Sequence, residues 1–202
     1  MALQTLVKIS GITNLTDARY CAGMGVEMVG FGIDDSANDF IGFQKIQDII
    51  QWLSGVQLVG EITNQNIESV SEYGFDFLET ANLQLIDNQA NNKGNSSKVI
   101  LKIVITQENL AELSYILEKY HTKVSYFLLE SALQFDNHIT NILKNHCVKY
   151  PILLGFGISQ STITHILDTI KPAGIALKGG IEISPGLKDM DELAEILEMI
   201  EI

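Results

Sequence analysis

The chain has 202 residues, enough for one domain with a substantial core, and its 46% apolar and 19% charged residues exclude a disordered polypeptide. A formal net charge of −12, with Arg19 as the single arginine, argues against nucleic-acid or anionic-membrane surfaces, so backbone N–H groups and lysine must hold any phosphorylated ligand. No apolar run approaches the ~18 residues of a membrane span, and the opening MALQTLVKIS lacks a basic stretch leading into a long apolar one, so a cytoplasmic location is expected.

In chain order, the first β-rich run is LVKIS at 6–10, ending on Ser10 and a glycine. A helix follows, with Asn14 as its N-cap and Asp17 three residues on. The runs VEMVGFGI, VQLVGEI, FDFLE, VILKIVI, VSYFLLE, PILLGFG and GIALK read as seven further strands. Between strands, FQKIQDIIQWL places Phe43, Ile46, Ile49, Ile50 and Leu53 on one helical face. NLAELSYILEKY does the same with Leu110, Leu113, Ile116 and Leu117. The Asn-, Ser- and Gly-rich stretch 86–98 reads as a loop replacing part of the fourth helix. The last helix, in DMDELAEILEMIEI, begins with acidic residues that suit the positive end of its dipole.

Cys21 and Cys147 lie far apart and read as small apolar helix residues, not as a disulfide. The four histidines, His121, His138, His146 and His165, have no ligand-like spacing, so no metal is expected. Eight strands alternating with about eight helical segments require an α/β fold with a parallel sheet, either open and doubly wound or closed. The count of eight favours a compact (β/α)8 TIM barrel spanning 1–202 as a single domain, short for its class.

The stretches VKISGITNLTDA, LLGFGISQSTI and GIALKGGIEISPGLKD together resemble the phosphoribosylanthranilate isomerase family over nearly the whole chain. That family is a (β/α)8 barrel, and the resemblance implies an Amadori rearrangement of N-(5′-phosphoribosyl)anthranilate. An acid opens the ribose ring, a base removes the neighbouring C–H proton, and no cofactor takes part. A phosphate anchor is implied at Gly155, Gly157 and Ser159 after strand seven and at Lys178, Gly179 and Gly180 after strand eight. Lys178 replaces a serine of the family pattern and adds a positive charge.

The resemblance also marks departures. Ser10 stands where the family has its basic cysteine, and a hydroxyl is far less acidic than a thiol and needs its own base. Glu130 takes the place of the general-acid aspartate, one methylene longer. Ala176 replaces a strand-eight aspartate, Asn38 and Asp39 stand where a substrate-binding arginine is usual, and Glu79 offers a further carboxylate after strand four. The leading expectation is therefore a family barrel that binds a small phosphorylated ligand with weak or lost isomerase activity. One alternative is a working isomerase that uses Glu130 and a water held by Ser10. Another is an isomerase or lyase on a different phosphosugar, with Glu130 and Glu79 as paired carboxylates, and a structural partner role is the fourth.

Overall fold

A computed structural model describes residues 2–35, 37, 39–63, 70, 72–89, 97–184 and 187–202. Eight parallel strands close into a barrel in sequence order: β1 Leu6–Ser10, β2 Met28–Gly32, β3 Gln57–Glu61, β4 Phe77–Thr80, β5 Lys98–Ile105, β6 Tyr126–Ser131, β7 Ile152–Leu154 and β8 Gly174–Lys178. The seam is a full ladder in which Leu6 faces Gly174 and Ser10 faces Lys178. Outside the barrel lie α1 Leu15–Gly23, α2 Phe43–Ile50, α3 Leu83–Gln89, α4 Leu113–Tyr120 and α5 Asn137–Cys147. They are followed by α6 Ile163–His165, which continues into a π-helical turn over Ile166–Ile170, and by α7 Asp191–Met199.

Strand parity decides what goes where, because successive side chains point to opposite faces. Met28, Val59, Phe77, Ile100, Leu128, Leu153 and Ala176, one from each of β2 to β8, fill the barrel interior as a single apolar layer. The alternate residues, such as Val7, Ile9, Val29 and Phe31 in one cluster and Phe127, Leu129, Ile152 and Leu154 in another, pack outward against the helices. Lys8 shares the inward parity of β1, so the sequence forces a lysine into the barrel, where it is fully buried.

The eight strands form where the sequence places them, with β1 and β8 agreeing to the residue. α1 starts as expected: Asn14 Oδ1 accepts from the Asp17 N–H at 2.9 Å, while Asn14 Nδ2 donates to Asp17 Oδ2 at 2.8 Å. Two expectations are corrected. Residues 86–89 are helical rather than loop, because α3 begins early with Asn82 Oδ1 accepting from the Gln84 N–H, and Lys98 already belongs to β5; residues 90–96 lie outside the described ones. After β8 the chain forms an unexpected antiparallel pair, β9 Ile181–Ser184 with β10 Leu187–Asp189, before α7.

Candidate active site

The C-terminal ends of the strands carry the charged residues, and the first of these is the end of β1. Lys8 Nζ donates to Ser10 Oγ at 2.6 Å and to Glu61 Oε1 at 2.5 Å, and it lies 2.7 Å from Glu79 Oε2. Glu61 comes from the end of β3 and Glu79 from β4, so one ammonium ties three strands. β2 contributes Gly30, where a Cβ would lie 2.0 Å from Glu61 Oε1; only a residue without a side chain leaves room for that carboxylate. On the far side, Lys102 of β5 lies 3.8 Å from Glu79 Oε1 and 3.0 Å from Glu130 Oε2 of β6.

This arrangement sets the protonation states. Burial works to strip the Lys8 proton, but the Glu61 and Glu79 carboxylates outweigh it and hold the ammonium well above the ordinary lysine range. Burial also opposes ionisation of Glu61, yet the Lys8 charge and hydrogen bonds from Lys8 and Ser10 prevail, so Glu61 sits below the usual carboxylate range. For Glu79 burial prevails, aided by the Glu61 charge, and its carboxyl is pushed up. The two acids share one lysine and are driven apart in acidity, with Glu61 ionised at the mouth and Glu79 4% exposed beneath it.

Ser10, Glu61, Lys102 and Glu130 line a cavity of about 260 Å³ together with Gly11, Asp39, Lys178, Gly179 and Lys188. Ser10, Glu130 and Lys178 are thus brought together, whereas Glu79 lies below and reaches Glu130 only through Lys102. Asp39 puts a carboxylate on this wall, and Asn38 lies outside the described residues. Arg19 is exposed on α1, among neither set of cavity-lining residues. Lys188 is held by Gly11, donating to its carbonyl at 2.5 Å, and by Asp17 at 3.7 Å.

Gly155, Gly157, Lys178, Gly179 and Gly180 line a second cavity of about 370 Å³, which shares Lys178 and Gly179 with the first. Their backbone donors are not equivalent. The Gly155 N–H is spent on Leu129 O and the Gly179 N–H on Ser10 O, both at 2.8 Å. The Ser159 N–H donates to Thr162 Oγ1 at 2.9 Å, and that hydroxyl in turn donates to Gly157 O. Among the described residues, the N–H groups of Gly157 and Gly180 have no acceptor. Both glycines are required by shape: Gly157 has φ +66° with Phe135 against it, and a Cβ on Gly180 would lie 1.6 Å from Asp189 O. Ala176 lines this cavity, as do Asp189 and Glu192, which bring negative charge to its rim.

The family model for N-(5′-phosphoribosyl)anthranilate (PRA) isomerase matches residues 7–199. The chain belongs to the phosphoribosylanthranilate isomerase family. The isomerase of Petrotoga mobilis is 27% identical over 205 residues, covering 96% of each chain. The fold matches a phosphoribosylanthranilate isomerase solved in complex with reduced 1-(o-carboxyphenylamino)-1-deoxyribulose 5-phosphate, with TM-score 0.78, 23% identity, and 96% and 97% of the two chains covered. The isomerase of Thermotoga maritima superimposes with TM-score 0.78 at 21% identity, with the same coverage. In this family member the charged ring of Lys8, Glu61 and Lys102 was not singled out from sequence. Its signal was there: each is a charged residue at the inward parity of an otherwise apolar run, in LVKIS, VQLVGEI and VILKIVI. Among the described residues, no group of three or more His, Cys, Asp or Glu could hold a metal ion.

Proposed function

We propose that this family member binds a small phosphorylated ligand across the barrel mouth, with its phosphate at the turns after β7 and β8, and that its phosphoribosylanthranilate isomerase activity is weak or lost. The observation that carries this reading is the Lys8–Ser10 contact. A hydroxyl that accepts a 2.6 Å hydrogen bond from an ammonium is held as an acceptor beside a positive charge, and it is not activated as a base. Glu130 is engaged by the Lys102 ammonium at 3.0 Å, so that oxygen is already taken by a chain cation rather than aimed at a ribose ring oxygen. Asp39 adds a negative charge to the cavity wall, which disfavours a substrate carboxylate in that cavity. The phosphate side retains the Gly157 and Gly180 N–H groups and the exposed Lys178 ammonium.

Expression in a bacterial strain that lacks the isomerase tests the reading directly. No growth without tryptophan is expected at ordinary expression, and robust growth would overturn it. Inorganic phosphate and ribose 5-phosphate are expected to raise the melting temperature in a saturable way, and the absence of any shift would remove the phosphate site. The cytoplasmic setting expected of a biosynthetic enzyme fits this reading, and no helix among the described residues is long and apolar enough to cross a membrane.

A further inference from the structure

Among the described residues, two glutamates line the 260 Å³ cavity, Glu61 and Glu130, and Glu130 is engaged by Lys102 at 3.0 Å. Glu61 is 16% exposed and lines the 260 Å³ cavity, while one of its oxygens is anchored on Lys8. It enters the barrel over Gly30, beside Ser10, the position the family gives to its base. Lys102, 30% exposed, lines the same cavity, and Lys178 joins that cavity to the one at Gly157 and Gly180. An ionised carboxylate, an ammonium in the same cavity and an anion anchor alongside are the parts needed to move a proton between neighbouring carbons of a phosphorylated sugar.

We propose that Glu61 is the proton-accepting catalytic residue of this mouth, and that the substrates it fits are small phosphorylated α-hydroxy aldehydes and ketones without an aromatic carboxylate. The proposal rests on the phosphate site described above. Glu61 removes the C2 proton of an aldose phosphate; the C–H electron pair becomes the C1–C2 double bond, and the carbonyl pair moves onto O1, where Lys102 meets the negative charge. On return, the O2 proton passes to O1, C2 becomes the carbonyl, and Glu61 gives its proton to C1. Substrate and product are isomers, so no other reactant enters.

The test is deuterium exchange in D2O, following the C1 protons of D-ribulose 5-phosphate by NMR alongside melting curves with and without the same sugar phosphate. Exchange above the protein-free rate is expected for the wild type, with a loss on the order of 100-fold in Glu61→Gln and a smaller loss in Glu61→Asp, which keeps the charge beside Lys8. A melting shift with wild-type exchange no faster than the blank overturns the role of Glu61 and leaves the phosphate site standing. Neither shift nor exchange overturns the phosphate site as well. Undiminished exchange in Glu61→Gln overturns the assignment of the base, and if that variant fails to fold, undiminished exchange in Glu61→Asp, which keeps the charge but shortens the reach, overturns it instead.

Discussion

Replacing Lys8 by methionine removes the cation that bridges Glu61 and Glu79. In the native barrel its ammonium is fully buried and lies 2.5 Å from Glu61 Oε1 and 2.7 Å from Glu79 Oε2. Glu61 and Glu79 are also direct neighbours in the β3–β4 ladder, so without Lys8 two carboxylates face one another with only Lys102, 3.8 Å from Glu79, nearby. Breaking a buried ion pair by removing one partner costs about 3–5 kcal/mol. At about 2–4 °C per kcal/mol for a chain of this size, the melting temperature at pH 7 should fall by roughly 6–20 °C. The pH dependence separates this cause from lost packing. In the wild type, the lowered Glu61 contributes stability that is present above the unfolded value near ~4.3 and lost as the pH falls through its folded value. The raised Glu79 acts in the opposite sense, contributing stability present at low pH and lost as the pH rises, so the two offset. In Lys8→Met both carboxyls are raised, and stability falls as the pH climbs from 4 to 8. Circular dichroism melts at pH 4.5 and pH 7.5 measure this: the deficit against wild type should be large at pH 7.5 and small at pH 4.5. Equal deficits at both values, or one below about 1 kcal/mol at pH 7.5, would refute the reasoning. Adding Glu61→Gln and Glu79→Gln to Lys8→Met should recover most of the loss, since neutral replacements leave no unpaired charge.

Ser10→Cys places a thiol where Lys8 now donates, and mass-spectrometric mapping of alkylation at pH 7 should find position 10 modified at least about tenfold faster than Cys21 or Cys147. Cys21 is buried and Cys147 half-buried, and desolvation pushes each thiol up to about 12; equal labelling of all three would count against the Lys8 contact. Asp136→Ala removes the N-cap of α5, whose carboxylate accepts from the Ile139 N–H at 2.7 Å, and should cost about 1 kcal/mol in urea denaturation with an unchanged m-value. Gly180→Ala forces a methyl group against the Asp189 carbonyl, so stability should drop by about 1–3 kcal/mol and the melting shift with inorganic phosphate should disappear; retention of that shift would show that the turn after β8 does not hold the anion.

Strand number and order were legible because each barrel strand is a short apolar run between turn residues, and eight such runs admit few architectures. The ends were harder to read. PILLGFG reads as seven strand residues, but β7 is only Ile152–Leu154, because Gly155 closes the ladder and Gly157 turns with positive φ. The pair β9–β10 hides behind GGIEISPGLKD, whose alternation is brief and whose glycines and proline suggest turns. At the site, Ser10, Glu130 and the glycine turns could be placed by pattern, since each ends a strand. The state of Ser10 could not, because it depends on Lys8 two residues earlier and on Glu61 fifty-one residues later, which meet only when the barrel closes. The same holds for the glycine N–H groups: sequence shows that glycines are present, and only the closed ladder shows which of their donors are already taken.

Lys8 sets a buried positive charge beneath the mouth, and that charge is part of the chain itself. Such a charge cannot be diluted, chelated or exchanged, and it arrives in the same place in every molecule as soon as β1, β3 and β4 meet. Its field can be retuned only through the few side chains that touch it, so changes at Ser10, Gly30, Glu61 and Glu79 act as one inherited unit rather than as four independent positions.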